Sequence, residues 1–205
     1  MSSAEQSIVT VLQSAVSLFR ANLDIFVPDI YGYETTASQQ SITTFWSNAN
    51  NTVLIQEAYA QGPLQIPSWN VYIGADQEIG AERFIGNAAY QVGGVQTQAS
   101  NFETAYIIGI LGNSQDQLRW LQMLCRWCLL YYRQPLETEY GFQNQRVSAG
   151  PLQPAPDNLK DSLAFAFMRT VTFTADHTDT WDILTVPTIT SATVNITPTY
   201  TELGG

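Results

Sequence analysis

The sequence predicts an α+β fold: a mostly antiparallel sheet with two main helices packed on one face, long loops and an extended C-terminal arm. Three observations predict it. Two segments, one near the N-terminus and one over 114–133, carry apolar residues at helical spacing. Three others, 66–78, 102–112 and 161–176, alternate or run apolar as strands do. Helices and strands do not take turns as they would around a parallel sheet, and that segregation favours helices layered on an antiparallel one. The chain has 205 residues, 45% of them hydrophobic and 12% aromatic. One domain of that size buries a core without metal or disulfide support. Residues 1–182 are read as the domain and 183–205 as the arm.

The elements follow in order. Ser2 or Ser3 caps a first helix, with Glu5 or Gln6 three residues on and an apolar stripe of Ile8, Leu12, Ala15, Leu18 or Phe19, and Leu23. The pattern ends before Pro28. Segment 27–41, "VPDIYGYETTASQQS", has turn residues and no clear period and is read as an exposed excursion. Segment 43–59 fits a short helix or a pair of strands. In "IPSWNVYIGADQE", Trp69, Val71 and Ile73 alternate with Asn70 and Tyr72, a strand signature. Segment 80–100, rich in Gly, Gln, Asn and Ala, reads as a long loop or loose hairpin. "FETAYIIGILG" is a second strand whose apolar run suggests burial on both faces. Segment 134–158 is loop-like, with prolines in "GPLQPAPDN". In "DSLAFAFMRTVTFTAD", Leu163, Phe165, Phe167, Val171 and Phe173 share one face while Thr170, Thr172 and Thr174 share the other. The remainder is rich in Thr and Pro.

The second helix is the informative one. Ser114 and Gln117 form a capping box and Pro135 lies just past its end. Over "RWLQMLCRWCLLYYR" one line carries Arg119, Gln122, Arg126 and Arg133, and almost everything else is apolar. A helix lying on a sheet normally turns a wide polar back to water. Here Leu118, Leu121, Cys125, Cys128 and Tyr132 make one arc for the sheet. Trp120, Trp127 and Tyr131 make a second, which must be covered by the first helix, by the loops or by another subunit. The arginines are expected to meet carboxylates across a fold or subunit boundary. Arg119, Trp120, Arg126, Trp127, Tyr131 and Arg133 are therefore the candidate interface residues.

Composition excludes several functions. Charged residues are only 13% and the net charge is −10, with one lysine, Lys160. Nucleic-acid affinity rests on clustered Lys and Arg, so a DNA-gripping surface is not expected, although DNA could slide past such a protein. No basic and apolar leader is present and no apolar run reaches membrane-span length. Cys125 and Cys128 form a C-x-x-C with no second pair and read as core thiols. The one histidine, His177, sits in "TADHTDTW" beside Asp176 and Asp179. That trio suits acid–base or metal chemistry in principle and a solvated turn more readily. "QVGGVQTQ" lacks the Lys and Ser/Thr of a phosphate cradle, and Glu137 and Glu139 alternate in a loop. No catalytic residue, cofactor or metal is expected, and the chain is not read as an enzyme.

The ordered set of an amphipathic first helix, "IPSWNVYIGAD", "NFETAYIIGILG" leading into "NSQDQLRWLQMLCRWCLLYYR", and "SLAFAFMRTVTFTADHTDTW" closed by Trp181 resembles the tail terminator proteins of tailed bacteriophages. The resemblance implies a homo-oligomeric, usually hexameric, ring in the virion, assembled in the host cytoplasm. Such a ring caps the tail tube, with tube and sheath below and a neck or connector protein above. DNA passes through the lumen without specific binding, and an acidic lumen would keep it from adhering. The long loops and Thr/Pro-rich tail leave a head–tail connector of the same virion as an alternative. A carbohydrate-binding surface module, with Trp46, Trp69, Tyr31 and Tyr33 as stacking platforms, is another, and a hydrolase built on His177 a third.

Overall fold

The computed structural model describes residues 4–57, 66–79, 90–92, 95–155 and 167–183. Helix α1 (Ala4–Ala21) buries the predicted stripe of Ile8, Leu12, Ala15 and Phe19, widened by Val9, Val11 and Val16. It stops at Ala21, and Asn22 donates its side-chain amide to the Leu18 carbonyl at 2.9 Å. Helix α2 (Leu23–Ile30) then leaves at 109° to α1, so Leu23 belongs to the second helix.

Helix α3 (Thr36–Ser47) follows, capped by the Thr35 hydroxyl accepting from the Ser38 amide at 3.2 Å. The expected exposed excursion over 27–41 is thus mostly helical, and this is a correction. Two features obscured it. Pro28 sits inside α2, where it costs a backbone hydrogen bond that the packing of the buried Val27 must outweigh. The Thr, Ser and Gln of α3 have low helix propensity, yet Ser41, Thr43 and Thr44 turn their hydroxyls back onto carbonyls four residues earlier. Ile42 and Trp46, one turn apart and both buried, anchor the helix to α1 through the Phe19–Trp46 ring contact at 5.5 Å.

The remaining elements are β1 (Leu54–Glu57), β2 (Ser68–Glu78), β3 (Tyr90–Val92), β4 (Val95–Leu111), α4 (Gln115–Tyr131), α5 (Arg133–Thr138), β5 (Gln143–Ala149), β6 (Gln153–Pro154) and β7 (Phe167–Ile183). The seven strands form one sheet in the order β1-β2-β4-β7-β5, with β3 beside β4 and β6 beside β7. β1 runs parallel to β2, and every other pair is antiparallel. The fold is α+β, as expected, with three helices among the described residues in addition to the two main ones, α1 and α4.

The segment 80–100 resolves into β3 and the start of β4, the hairpin alternative; 80–89 and 93–94 lie outside the described residues. The loop expected over 134–158 contains α5, β5 and β6. The expected strand residues Leu163 and Phe165 and the arm beyond Ile183 lie outside the described residues.

Alternation along the strands sends Trp69, Val71, Tyr106, Ile108, Ile110, Val171, Phe173 and Ala175 into the core beneath α1 and α4. Tyr106, Phe142 and Phe173 meet there at ring distances of 5.6–6.1 Å. Positions of opposite parity, such as Tyr72, Ile107, Thr170, Thr172 and Thr174, are only half-buried, so burial on both faces is confined to the end of β4. Gly109 permits that closure, since a Cβ there would lie 3.1 Å from the Met168 methyl. Phe167, expected in the core, is 38% exposed at the start of β7.

β4 and β7 are each 17 residues long and stay paired from Gln96 and Ile183 to Leu111 and Met168. A strand pair of that length spans about 58 Å at about 3.4 Å per residue. The 17-residue α4 that lies over it spans about 25 Å. The outer end of the ribbon therefore extends past the helix.

Candidate functional site

Helix α4 starts as its sequence dictates. The Ser114 hydroxyl accepts from the Gln117 amide at 3.2 Å, and the Gln117 side chain reaches back to accept from the Asn113 amide at 2.6 Å. Leu118, Leu121, Leu124, Cys125, Cys128 and Leu129 then bury against the sheet and α1.

The second arc divides. Trp120 and Trp127 are half-buried and pack on the chain's own core. Trp127 lies among Phe26 at 4.8 Å, Tyr131 at 4.7 Å and Phe19 at 6.2 Å. The backbone carbonyl of Trp120 accepts the Tyr31 hydroxyl at 2.9 Å. The covering elements are α1, α2 and the turn after α2, that is, the first helix and the segment read as a loop. Tyr131 differs: it stacks on Trp127 at an interplanar angle of 29° and is still 53% exposed. Leu130 beside it is 49% exposed.

The basic line divides too. Arg119 meets Glu34 at 2.8 Å, an ion pair across the fold that ties the α2–α3 turn to α4, with Asp116 further off at 3.9 Å. Arg133 donates to the Gln145 carbonyl, a backbone group in place of the expected carboxylate, and the Gln145 amide returns a bond to the Arg133 carbonyl at 2.8 Å. Gln122 leaves the line altogether. It is buried, its amide bridges the Gly150 and Thr170 carbonyls at 2.7 and 2.8 Å, and its oxygen accepts from Arg169 at 3.2 Å. Arg126 is exposed and forms no ion pair or hydrogen bond among the described residues. What remains open is a stripe of Arg126, Leu130, Tyr131 and Arg133. Tyr31 and Glu34, which hold α4 in place, were not anticipated; "YGYE" inside a polar run was their only signal.

The thiols are core groups. Cys125 and Cys128 are free and fully buried, and burial pushes both well above the ordinary cysteine range. Burial raises the Tyr31 phenol likewise, with the nearby Cys128 and Glu34 adding to it.

Asp176 does not join His177. His177 and Asp176 are adjacent on an extended strand and so face opposite ways. His177 stacks on Phe102 at 5.9 Å and its Nδ1 lies 3.4 Å from the Thr104 hydroxyl. It borders a hollow of about 330 Å³ with Ser7, Tyr140 and Phe142. Asp176 is buried and accepts from the Asn144 amide at 2.7 Å, while the Asp179 side chain lies outside the described residues. No cluster of three or more metal-binding side chains occurs among the described residues. Three of the four suggested sugar platforms, Tyr31, Trp46 and Trp69, are buried, which leaves Tyr33 fully exposed and alone of that set. No single helix among the described residues is long and apolar enough to cross a membrane.

No family model matches the chain, and none of the curated proteins does. Among solved structures it is similar to the sheath/tube terminator of an extracellular contractile injection system, PVC, captured in the extended state by cryo-EM. The TM-score is 0.34 and the identity 16%, over 82% of this chain and 66% of that one. The chain thus spans just under two thirds of that neighbour's length, and a likeness at this level carries no argument about function.

Proposed function

We propose that this chain is a structural, non-catalytic assembly protein of a phage tail: a tail terminator. In this reading it forms a hexameric ring in the virion that caps the tail tube. Tube and sheath subunits lie below it, a neck protein above, and DNA passes through an acidic lumen. It takes no cofactor.

The observation that carries the proposal is the open stripe of Arg126, Leu130, Tyr131 and Arg133 on α4. Half-exposed Leu and Tyr beside an unpaired Arg make the composition of an interface core. Arg119, Trp120 and Trp127 support the stripe from inside the subunit, fixing the helix that presents it. The low charge content and net charge of −10 fit a surface that meets protein and does not hold DNA.

The test is electron microscopy and co-sedimentation of the purified chain with isolated tail tubes. Rings seated on tube ends support the proposal. A chain that remains monomeric and leaves tube ends bare refutes it.

A further inference from the structure

Six of the chain's seven arginines are among the described residues, and four of the six meet a carbonyl or carboxylate of the subunit. Arg20 donates to the Asn48 and Asn51 carbonyls at 3.0 and 3.1 Å, Arg119 to Glu34, Arg133 to the Gln145 carbonyl and Arg146 to Glu103. Arg126 and Arg169 differ. Arg126 is exposed and without a partner among the described residues. Arg169, on β7, is half-buried. Its one acceptor there is the Gln122 carboxamide oxygen at 3.2 Å, and its Nε is enclosed with none.

These two arginines flank one residue. Gln122 and Arg126 stand one turn apart on the same face of α4. Arg169 reaches the same Gln122 from the sheet. Both N–H groups of the Gln122 amide are used, on the Gly150 and Thr170 carbonyls at 2.7 and 2.8 Å, so its oxygen must be the atom turned to Arg169. A carboxamide satisfies one N–H of a guanidinium and neutralises none of its charge. A guanidinium drawn out of water with no anion beside it is unfavourable, and a second cation one turn away adds repulsion. One anion set between the two relieves both costs. The planar fork of a guanidinium fits a carboxylate with two parallel hydrogen bonds.

We propose that the Arg126–Gln122–Arg169 corner seats a carboxylate from a second copy of the chain. This inference rests on the ring reading and names the chemistry that docks beside the α4 stripe. Charge selects the occupant. Each copy carries 18 acidic residues against eight basic ones, so a neighbouring copy has carboxylates in excess. The same net charge of −10 opposes the approach of nucleic-acid phosphates. Leu130, one turn beyond Arg126 and 49% exposed, gives the contact an apolar flank.

Lysine makes the site report on itself, because the chain has only one, Lys160. Arg126→Lys and Arg169→Lys each keep the cation, and a water-soluble carbodiimide joins the new amine to a carboxylate in contact with it. The full-length variants are assembled on tail tubes from equal parts of isotope-labelled and unlabelled chain, coupled, digested and read by mass spectrometry. Both variants should yield an Asp or Glu peptide joined to the substituted position, with mixed labels that prove a second copy. Joined peptides of uniform label, or none, would overturn the contact while leaving the ring standing. In a second arm, Arg126→Gln and Arg169→Gln should each raise the concentration for half-assembly by about tenfold and leave the urea midpoint of the free chain unchanged. Variants that assemble as readily as the parent but lose retention of a DNA oligonucleotide would reassign the corner to phosphate. A parent chain that never assembles, with tail tubes or without, would remove the ring reading and this contact with it.

Discussion

One position on α4 separates two kinds of contact. Trp127 turns its ring into Phe19, Phe26 and Tyr131, whereas Arg126 next to it stands in solvent. Trp127→Ala should therefore cost about 2–3 kcal/mol in a urea titration, somewhat below the ~3–5 kcal/mol of a fully enclosed ring. Arg126→Glu should leave the urea midpoint within about 0.5 kcal/mol and act on assembly alone. Equal destabilisation by both would mean that Arg126 is a folding residue. The thiols give a pH prediction. Below about pH 8 Cys125 and Cys128 are neutral in folded and unfolded chains alike. As pH rises past about 8.5, the unfolded thiols lose protons while the buried ones, held high by burial, do not, so the fold loses stability. Melting temperatures should fall between about pH 8.5 and 10, and the fall should be shallower in a Cys125→Ala/Cys128→Ala double variant. An identical slope would place the alkaline loss elsewhere.

At the scale of elements, α4 depends on its cap and on the α2–α3 turn. Ser114→Ala should cost about 1 kcal/mol, measured by thermal or urea unfolding. Glu34→Ala removes a partly exposed ion pair and should cost less than about 1 kcal/mol. What was legible here follows from the strength of local pattern. α1, β2, β4 and α4 were readable because Ile8, Leu12 and Phe19, or Trp69 and Val71, repeat at the period of their element. The cap at Ser114 was readable for the same local reason. α3 was not, because its Thr, Ser and Gln speak for a loop and only Ile42 and Trp46 mark the buried side. The site was half legible. The wheel set Arg126 and Tyr131 apart from the sheet-facing arc but could not separate Tyr131 from Trp120 and Trp127, and Gln122 could not be moved off the basic line without knowing that Gly150 and Thr170 would offer it two carbonyls. Nor could Trp120 and Trp127 be assigned to the subunit's own α2, since that helix was itself unread.

At the scale of the whole molecule, one surface stands out on the subunit: the basic and aromatic stripe of Arg126, Leu130, Tyr131 and Arg133 on α4. Subunits that each carry −10 repel one another, and salt screens that repulsion, so assembly should depend on ionic strength. The most direct measurement of the central claim is hydroxyl-radical footprinting of Tyr131 and Leu130 in the full-length chain, dilute and after assembly on tail tubes. Both side chains should react freely in the dilute subunit and be shielded once rings form, with Tyr33 unchanged as an internal reference. Tyr131 reacting as fast in the assembled ring as in the free chain would contradict it.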